Sequence, residues 1–121
     1  MENKYKEIYV VCFGEVLWDV LPTVRRPGGA PMNVAYHLQK LGLDSQLISS
    51  VGNDQAGKAL LDFLGSIDLS DQYVQVLNSQ PTSEVIATVG DGHEVRYEIV
   101  FPVAWDFISW RPDYTELLKN S

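Results

Sequence analysis

Residues 27–64 decide the fold, and they run PGGAPMNVAYHLQKLGLDSQLISSVGNDQAGKALLDFL. Two segments of this stretch have the apolar spacing of an amphipathic helix, and a short apolar segment typical of a strand lies between them. The first helix is predicted over residues 31–41, because Pro31 suits the first helical position and Gly42 the position just past the end. Its apolar face is predicted to hold Met32, Ala35, Leu38 and Leu41.

The second half of the stretch predicts a strand followed by a second helix. Gln46–Val51 is the predicted strand, and Gly52-Asn53-Asp54 is a turn whose last residue can cap the helix. The buried side of that helix is predicted to consist of Ala56, Leu60, Phe63 and Leu64.

The residues before this stretch predict a first strand and a loop. Glu7–Phe13 is a nearly unbroken apolar run, which is typical of a strand covered on both faces. After Gly14, the apolar segment Val16–Leu21 ends at Pro22, and TVRRPGGAP (residues 23–31) is predicted to be loop. The order strand, helix, strand, helix predicts an α/β fold with a parallel βαβ core.

The pattern changes in the second half of the chain. Tyr73–Leu77 alternates and predicts a strand at a sheet edge, and Glu84–Val89 and Glu94–Phe101 flank Gly90-Asp91-Gly92-His93, a strong hairpin signal. A parallel core does not need this hairpin, so we expect an appendage that covers a ligand cleft or another subunit. The apolar residues on one face of its second strand are Val95, Tyr97, Ile99 and Phe101. The apolar segment Trp105–Trp110 and a last helix after Arg111 complete the chain.

Composition limits the class of protein. The 121 residues, 45% of them hydrophobic and 21% charged, suffice for one soluble domain with one core. A net charge of -7 argues against a nucleic-acid or anionic-membrane partner. The single cysteine, Cys12, allows no intramolecular disulfide, and we expect neither a secretory signal nor a membrane span. These features favour the cytoplasm.

Three features could form a ligand site. Gly28-Gly29 lies just before a helix, where the backbone can approach a ligand, although a turn alone would also need glycine. Asp19 lies between apolar neighbours and could accept hydrogen bonds from sugar hydroxyls, while adjacent apolar or aromatic surface packs on the C–H faces of the sugar ring. The alternative is that Asp19 caps the turn at Pro22. Asn33 could donate to and accept from hydroxyls, or simply face solvent.

The other polar candidates favour structural explanations. His37 and His93 lack the spacing of a zinc site, and Cys12 lies in an apolar strand as an inert thiol. Ser49-Ser50 has no evident base, and capping explains the turn before the second helix. No metal site is predicted.

Three segments resemble the N-terminal part of the PfkB (ribokinase-like) carbohydrate kinases, in particular the fructokinase branch. They are FGEVLWDVLP (Phe13–Pro22), PGGAPMNVAYHLQKLG (Pro27–Gly42) and ISSVGNDQAGKALLDFL (Ile48–Leu64). The glycine pair, the asparagine that follows it and the later VGND form the first signature of the family. The hairpin at about 84–101 resembles the family's lid, and Val103–Ile108 the segment that re-enters the core.

The resemblance implies the N-terminal portion of a ribokinase-like, three-layer α/β fold with a β-hairpin lid. It also implies a sugar site formed by Asp19, Gly28, Gly29 and Asn33, over which the hairpin closes. Tyr97, Ile99 and Phe101 would be the lid residues, with Phe101 standing where many relatives have arginine. The complete enzyme would use ATP and Mg²⁺ to phosphorylate a sugar, with fructose favoured, and lids in relatives often contribute to dimers. We expect a homodimer through the hairpin to be possible here as well.

The second family signature, a Gly-Ala-Gly-Asp-like stretch that supplies the catalytic base, is absent from these 121 residues. We therefore expect residues 1–121 to be the sugar-binding part of a kinase domain, with no catalytic residue and no ATP or Mg²⁺ bound by this chain alone. The alternative is a non-catalytic sugar-binding or dimerising module. A nucleotide-binding Rossmann domain is disfavoured because Gly-x-Gly-x-x-Gly does not occur after the first strand.

Overall fold

The structure is a computed structural model, and it describes residues 9–121. Glu7 and Ile8, which begin the predicted first strand, lie outside the described residues. The described elements, in chain order, are β1 Tyr9–Phe13, β2 Leu17–Val20, β3 Arg25–Gly28, α1 Ala30–Lys40, β4 Asp44–Gly52, α2 Gln55–Ser66, β5 Val74–Leu77, β6 Ser83–Val89, β7 Val95–Ile99, a 3₁₀ turn Ala104–Phe107 and α3 Pro112–Lys119.

A parallel sheet of three strands forms the centre, in the order β1-β4-β5. β1 pairs with β4 from Tyr9 opposite Asp44 to Phe13 opposite Ile48, and β4 pairs with β5 from Ser49 opposite Val74. The helix α1 connects the first two strands and α2 the next two. The predicted parallel βαβ core is therefore confirmed, and β5 lies at the sheet edge as predicted.

Helices cover both faces of this sheet and complete three layers. On one face, buried residues of β4 such as Leu47 and Val51 pack with α1 and α2 in the main core. On the other face, Ile48 packs with Tyr114 and Leu117 of α3. Alternate residues of β4 thus enter different apolar clusters, which explains why almost the whole strand is buried.

A second sheet of four strands, in the order β3-β2-β6-β7, contains the remaining strands. Its existence corrects the prediction that residues 23–31 are loop, because Arg25–Gly28 pairs antiparallel with β2. The sequence RRPG has weak strand propensity, but β2 supplies a partner for its backbone, and an edge strand tolerates Pro27 without an N–H.

The predicted hairpin is present as β6 and β7, paired antiparallel from Val89 opposite Val95 to Val85 opposite Ile99. It is not an appendage, because β6 also pairs in parallel with β2, where Leu17 lies opposite Ser83. The hairpin is thereby joined to the segment that contains Asp19 and Gly28. None of the helices in the described range is long and apolar enough to cross a membrane.

Gly29 offers a direct test of the junction between β3 and α1. It caps α1 at φ 112°, and a Cβ there would lie 2.5 Å from the Glu15 carbonyl oxygen. Gly42 is the matched control, since its φ is 91° but a Cβ would meet nothing within 4 Å. We expect Gly29→Ala to lower the free energy of unfolding by about 1–3 kcal/mol more than Gly42→Ala does, measured by urea denaturation. Equal losses of stability in the two variants would mean that the positive φ, and not the contact with Glu15, is what requires glycine at position 29.

Candidate sugar site

Asp19 and Gly28 are in direct contact across two paired strands. A Cβ at Gly28 would collide with the Asp19 carboxylate oxygen Oδ2 and lie 3.3 Å from Cδ1 of Leu17. The carboxylate therefore occupies the space above Gly28 that a side chain would fill. Gly28 has no positive φ, so the requirement for glycine here arises from the carboxylate and not from backbone conformation.

The strand registers place Asp19 and Gly28 on one side of the second sheet, which we call the site face. Residues directly opposite each other in paired strands point to the same side, and alternate residues along a strand share a side. Asp19 lies opposite both Arg26 and Val85, and Val85 in turn lies opposite Ile99. The site face consists of Arg26, Gly28, Leu17, Asp19, Ser83, Val85, Ala87, Val89, Val95, Tyr97 and Ile99.

Trp18 lies on the opposite side and is not available to a sugar beside Asp19. Its indole Nε1 donates a hydrogen bond of 2.9 Å to the carbonyl oxygen of Ala56 in α2, and only 8% of the residue is exposed. The aromatic ring on the site face is instead that of Tyr97, which is 69% exposed. Alternation along β2 therefore sends Trp18 into the core, and any apolar or aromatic surface that packs on a sugar beside Asp19 belongs to other residues of the site face.

The other two predicted site residues are at the start of α1. Gly29 is the N-cap, and its carbonyl oxygen accepts the Asn33 N–H at 3.0 Å. Asn33 is exposed on the first turn, and within residues 9–121 its side chain forms no hydrogen bond with a protein group. The structure thus brings Asp19, Gly28 and Gly29 together, and places Asn33 one helical turn beyond them.

The predicted lid residues differ in position. Tyr97 and Ile99 lie on the site face, and the exposed fraction of Ile99 is 64%. Phe101 follows the end of β7 and is 75% exposed. A row of large apolar side chains therefore lies on the same sheet face as Asp19 and is open to solvent.

Asp54 joins the start of α2 to the start of the hairpin. Its Oδ1 accepts the Gly57 N–H at 2.8 Å as a helix cap, as predicted, and also accepts the hydroxyl of Thr82. Its Oδ2 accepts the Thr82 N–H at 2.9 Å, and the Thr82 hydroxyl oxygen accepts the Gly52 N–H at 2.9 Å. Burial raises the pKa of this carboxyl, but the hydrogen bonds from Thr82 and Gly57 outweigh burial and leave the pKa below its ordinary value.

Thr82, which no sequence motif marks, connects this turn to the hairpin. It is buried and immediately precedes β6. Beside it, the Pro81 carbonyl oxygen accepts the Ala104 N–H at 2.8 Å, so the chain is also held where it returns from the hairpin. In the sequence, the only indication of this role is a threonine just before a predicted strand, and threonines are too common at such positions to be specific.

The cysteine, histidine and serine side chains considered in the sequence analysis lie in positions that favour a structural role. Cys12 is buried, and burial raises the pKa of its thiol, which keeps it in the less reactive neutral form. His37 packs against Tyr36 with ring centroids 5.3 Å apart, and His93 lies in the hairpin turn. Ser49 and Ser50 are fully buried in β4. Among the described residues, no group of three or more His, Cys, Asp or Glu side chains could hold a metal ion.

Comparison with models of known protein families identifies the family of this chain. The family described as pfkB family carbohydrate kinase matches residues 3–105. The chain belongs to this family. The match includes all four predicted sugar-site residues and the whole hairpin.

Individual pfkB relatives are longer than this chain. The probable fructokinase-7 of Arabidopsis thaliana is 34% identical over 105 residues, which is 76% of this chain and 31% of that protein. The chain thus spans about a third of the length of this relative.

Solved structures of pfkB kinases share the fold. The fructokinase of Xylella fastidiosa with bound ATP superimposes with a TM-score of 0.80 at 26% identity and covers 96% of this chain and 37% of that one. The apo fructokinase of Vibrio cholerae O395 gives a TM-score of 0.78 at 27% identity, with coverage of 84% and 37%. The predicted ribokinase-like fold class is therefore confirmed.

Proposed function

We propose that this chain provides the sugar-binding part of a fructokinase-like kinase, with fructose as the favoured sugar. The observation that supports the proposal most directly is the contact between Asp19 and Gly28. A carboxylate held over a glycine, beside the N-terminus of α1, presents hydrogen-bond acceptors near the backbone N–H groups that begin the helix. In this proposal Asp19 accepts sugar hydroxyls, Gly28 makes room for the Asp19 carboxylate, Gly29 forms the N-cap at the edge of the site, and Asn33 binds further hydroxyls.

The hairpin is proposed to act as the lid. Its apolar residues Tyr97 and Ile99 share the site face with Asp19, so bending of the hairpin over that face would bring them toward a bound sugar. Burial of these side chains would exclude water from the transfer of a phosphoryl group and so limit hydrolysis of the donor. Phe101, next to the end of β7, is proposed to close the edge of the same surface.

The nucleotide part of the reaction is proposed to depend on residues of a second family signature. ATP would be the phosphoryl donor and Mg²⁺ would neutralise its phosphates. The residues of this chain offer no cradle for ATP at the glycine pair, because Gly28 lies against Asp19 and Gly29 against Glu15, and no second glycine-rich stretch ending in aspartate occurs in the 121 residues. We therefore assign no catalytic residue to this chain and expect no kinase activity from residues 1–121 alone.

The exposed apolar row also supports a homodimer formed through the hairpin. Val95, Tyr97, Ile99 and Phe101 are each at least half exposed, which is unusual for neighbouring large apolar side chains. A non-catalytic sugar-binding or dimerising module is the second candidate function and rests on this surface.

The net charge of -7 and the buried thiol of Cys12 support a cytoplasmic protein whose partners are neither nucleic acid nor anionic membrane.

Calorimetric titration of the chain with fructose, glucose and ribose tests the proposal. We expect saturable binding with fructose preferred, and we expect Gly28→Ala to abolish it, because the added methyl group displaces the Asp19 carboxylate. Gly65→Ala is the control, since a Cβ at Gly65 meets nothing within 4 Å. If the chain unfolds cooperatively but binds none of the sugars, it is not a sugar-binding unit and the proposal is wrong.

A further inference from the structure

Arg26 lies directly opposite Asp19 in the antiparallel pairing of β2 with β3. Opposite residues in such a pair have Cβ atoms about 4.5–5.5 Å apart and point to the same side of the sheet. Arg26 is exposed and shares the site face with Asp19. Arg26 therefore belongs to the surface that is proposed to bind the sugar.

Asp19 and Arg26 are the only charged residues on the site face. The other members of that face are small or apolar. The charged residues of β6 and β7, namely Glu84, Arg96 and Glu98, all lie on the opposite side of the sheet. Arg26 is thus the only positively charged residue on the site face.

The Arg26 side chain forms no ion pair or hydrogen bond with another residue within residues 9–121. The only ion pair within residues 9–121 joins Arg111 to Asp113, and the Asp19 carboxylate lies over Gly28 instead of against the guanidinium. The neighbouring Arg25 differs, because alternation places it on the other side of the sheet. There its guanidinium carbon lies 4.3 Å from the centroid of the Trp18 ring, in a cation–π contact.

These observations have a consequence for the substrate. A free guanidinium offers several N–H donors in a planar fork that matches the oxygens of a phosphate or carboxylate. A ligand with such a group would be repelled by Asp19 unless a cation offset that charge, and Arg26 is placed to do so. On the basis of the sugar-binding function proposed above, we infer that Arg26 is a specificity-determining residue that binds a negatively charged substituent of the sugar.

The test is calorimetric titration of the 121-residue chain with fructose, fructose 6-phosphate and gluconate. We expect at least one of the two anions to bind about tenfold more tightly than fructose, as a charge-assisted hydrogen bond provides. Arg26→Gln should reduce that ratio to about one. Arg25→Gln, which removes the same charge from the other side of the sheet, should leave the ratio unchanged. A preference for fructose 6-phosphate identifies a phosphate group, and one for gluconate a carboxylate.

Each other outcome has a distinct meaning. If neither anion is preferred over fructose, or if Arg26→Gln weakens all three ligands by the same factor, the inference is wrong while the proposed sugar site stands. If Arg25→Gln lowers the ratio as much as Arg26→Gln, the effect is that of net charge and the inference is also wrong. If none of the three ligands binds to the folded wild-type chain, both the inference and the proposed function fail.

Discussion

Replacement of Asp54 by alanine is expected to destabilise the chain more than removal of any other exposed carboxylate within residues 9–121. The change removes the cap of α2, which costs about 0.5–2 kcal/mol, and leaves the buried Thr82 N–H without its acceptor, which costs about 1–3 kcal/mol. We therefore expect a loss of about 2–4 kcal/mol in the free energy of unfolding, measured by urea denaturation. A change of this size is a large part of the stability of a small domain.

Asp62→Ala is the matched control for this prediction. Asp62 is an exposed carboxylate on the same helix, and its replacement should change stability by about 0.5 kcal/mol or less. Thr82→Val, which removes the hydroxyl but keeps the N–H, should produce an intermediate loss. An Asp54→Ala variant as stable as the Asp62→Ala variant would show that the hydrogen bonds at the base of the hairpin contribute little.

The lowered pKa of Asp54 also predicts a pH dependence. A carboxyl whose pKa is lower in the folded than in the unfolded chain stabilises the fold at any pH above its ordinary pKa of about 4. That contribution is lost as the pH falls through the lowered folded pKa. The stability difference between the wild-type chain and Asp54→Asn should therefore be constant from neutral pH to about pH 5 and shrink below about pH 4. A difference that grows on acidification would contradict the assignment.

Asp19→Asn is expected to weaken fructose binding about 10²-fold. The amide has nearly the same shape as the carboxylate and can remain over Gly28, but it loses the charge and one acceptor oxygen. A hydrogen bond to a charged group contributes about 1.5–3 kcal/mol, and 1.4 kcal/mol corresponds to a tenfold change in affinity. Calorimetric titration of fructose into the wild-type chain and the variant measures the ratio directly.

Two controls separate binding from folding in this experiment. Asp62→Asn makes the same chemical change on α2, away from the site face, and should leave the affinity unaltered. Urea denaturation of Asp19→Asn should give nearly the wild-type midpoint, because the Asp19 side chain forms no hydrogen bond within residues 9–121. Unchanged fructose affinity in a folded Asp19→Asn variant would remove Asp19 from the site.

Local sequence was sufficient to predict the central sheet and its helices. α1 and α2 have regular apolar spacing and clear end signals at Pro31, Gly42 and Asp54, and the predicted ends of α1 differ from the observed ends by one residue. The strand after α1 was predicted slightly short, as Gln46–Val51 against Asp44–Gly52. These elements were predictable because each depends mostly on residues within it.

Elements that depend on distant partners were not predictable in the same way. Arg25–Gly28 forms a strand only because β2 pairs with it, and its own residues favour a turn. The arrangement of Asp19, Arg26 and the hairpin on one face depends on the pairing of β2 with β6, for which no local pattern exists. The role of Thr82 is not predictable for the same reason, since its partner Asp54 lies in another turn of the chain.

The pairing of Leu17 with Ser83 has a consequence for the order of folding. It is the longest-range strand pairing in the described part of the chain, whereas β1, α1 and β4 are joined by shorter connections. Closure of a long loop delays the contacts that depend on it, so the central sheet should gain protection from hydrogen exchange before β2 and β6 do. The carboxylate, the glycine and the hairpin would then meet only in the last stage of folding, and a partly folded chain would have a core but no ability to recognise its ligand.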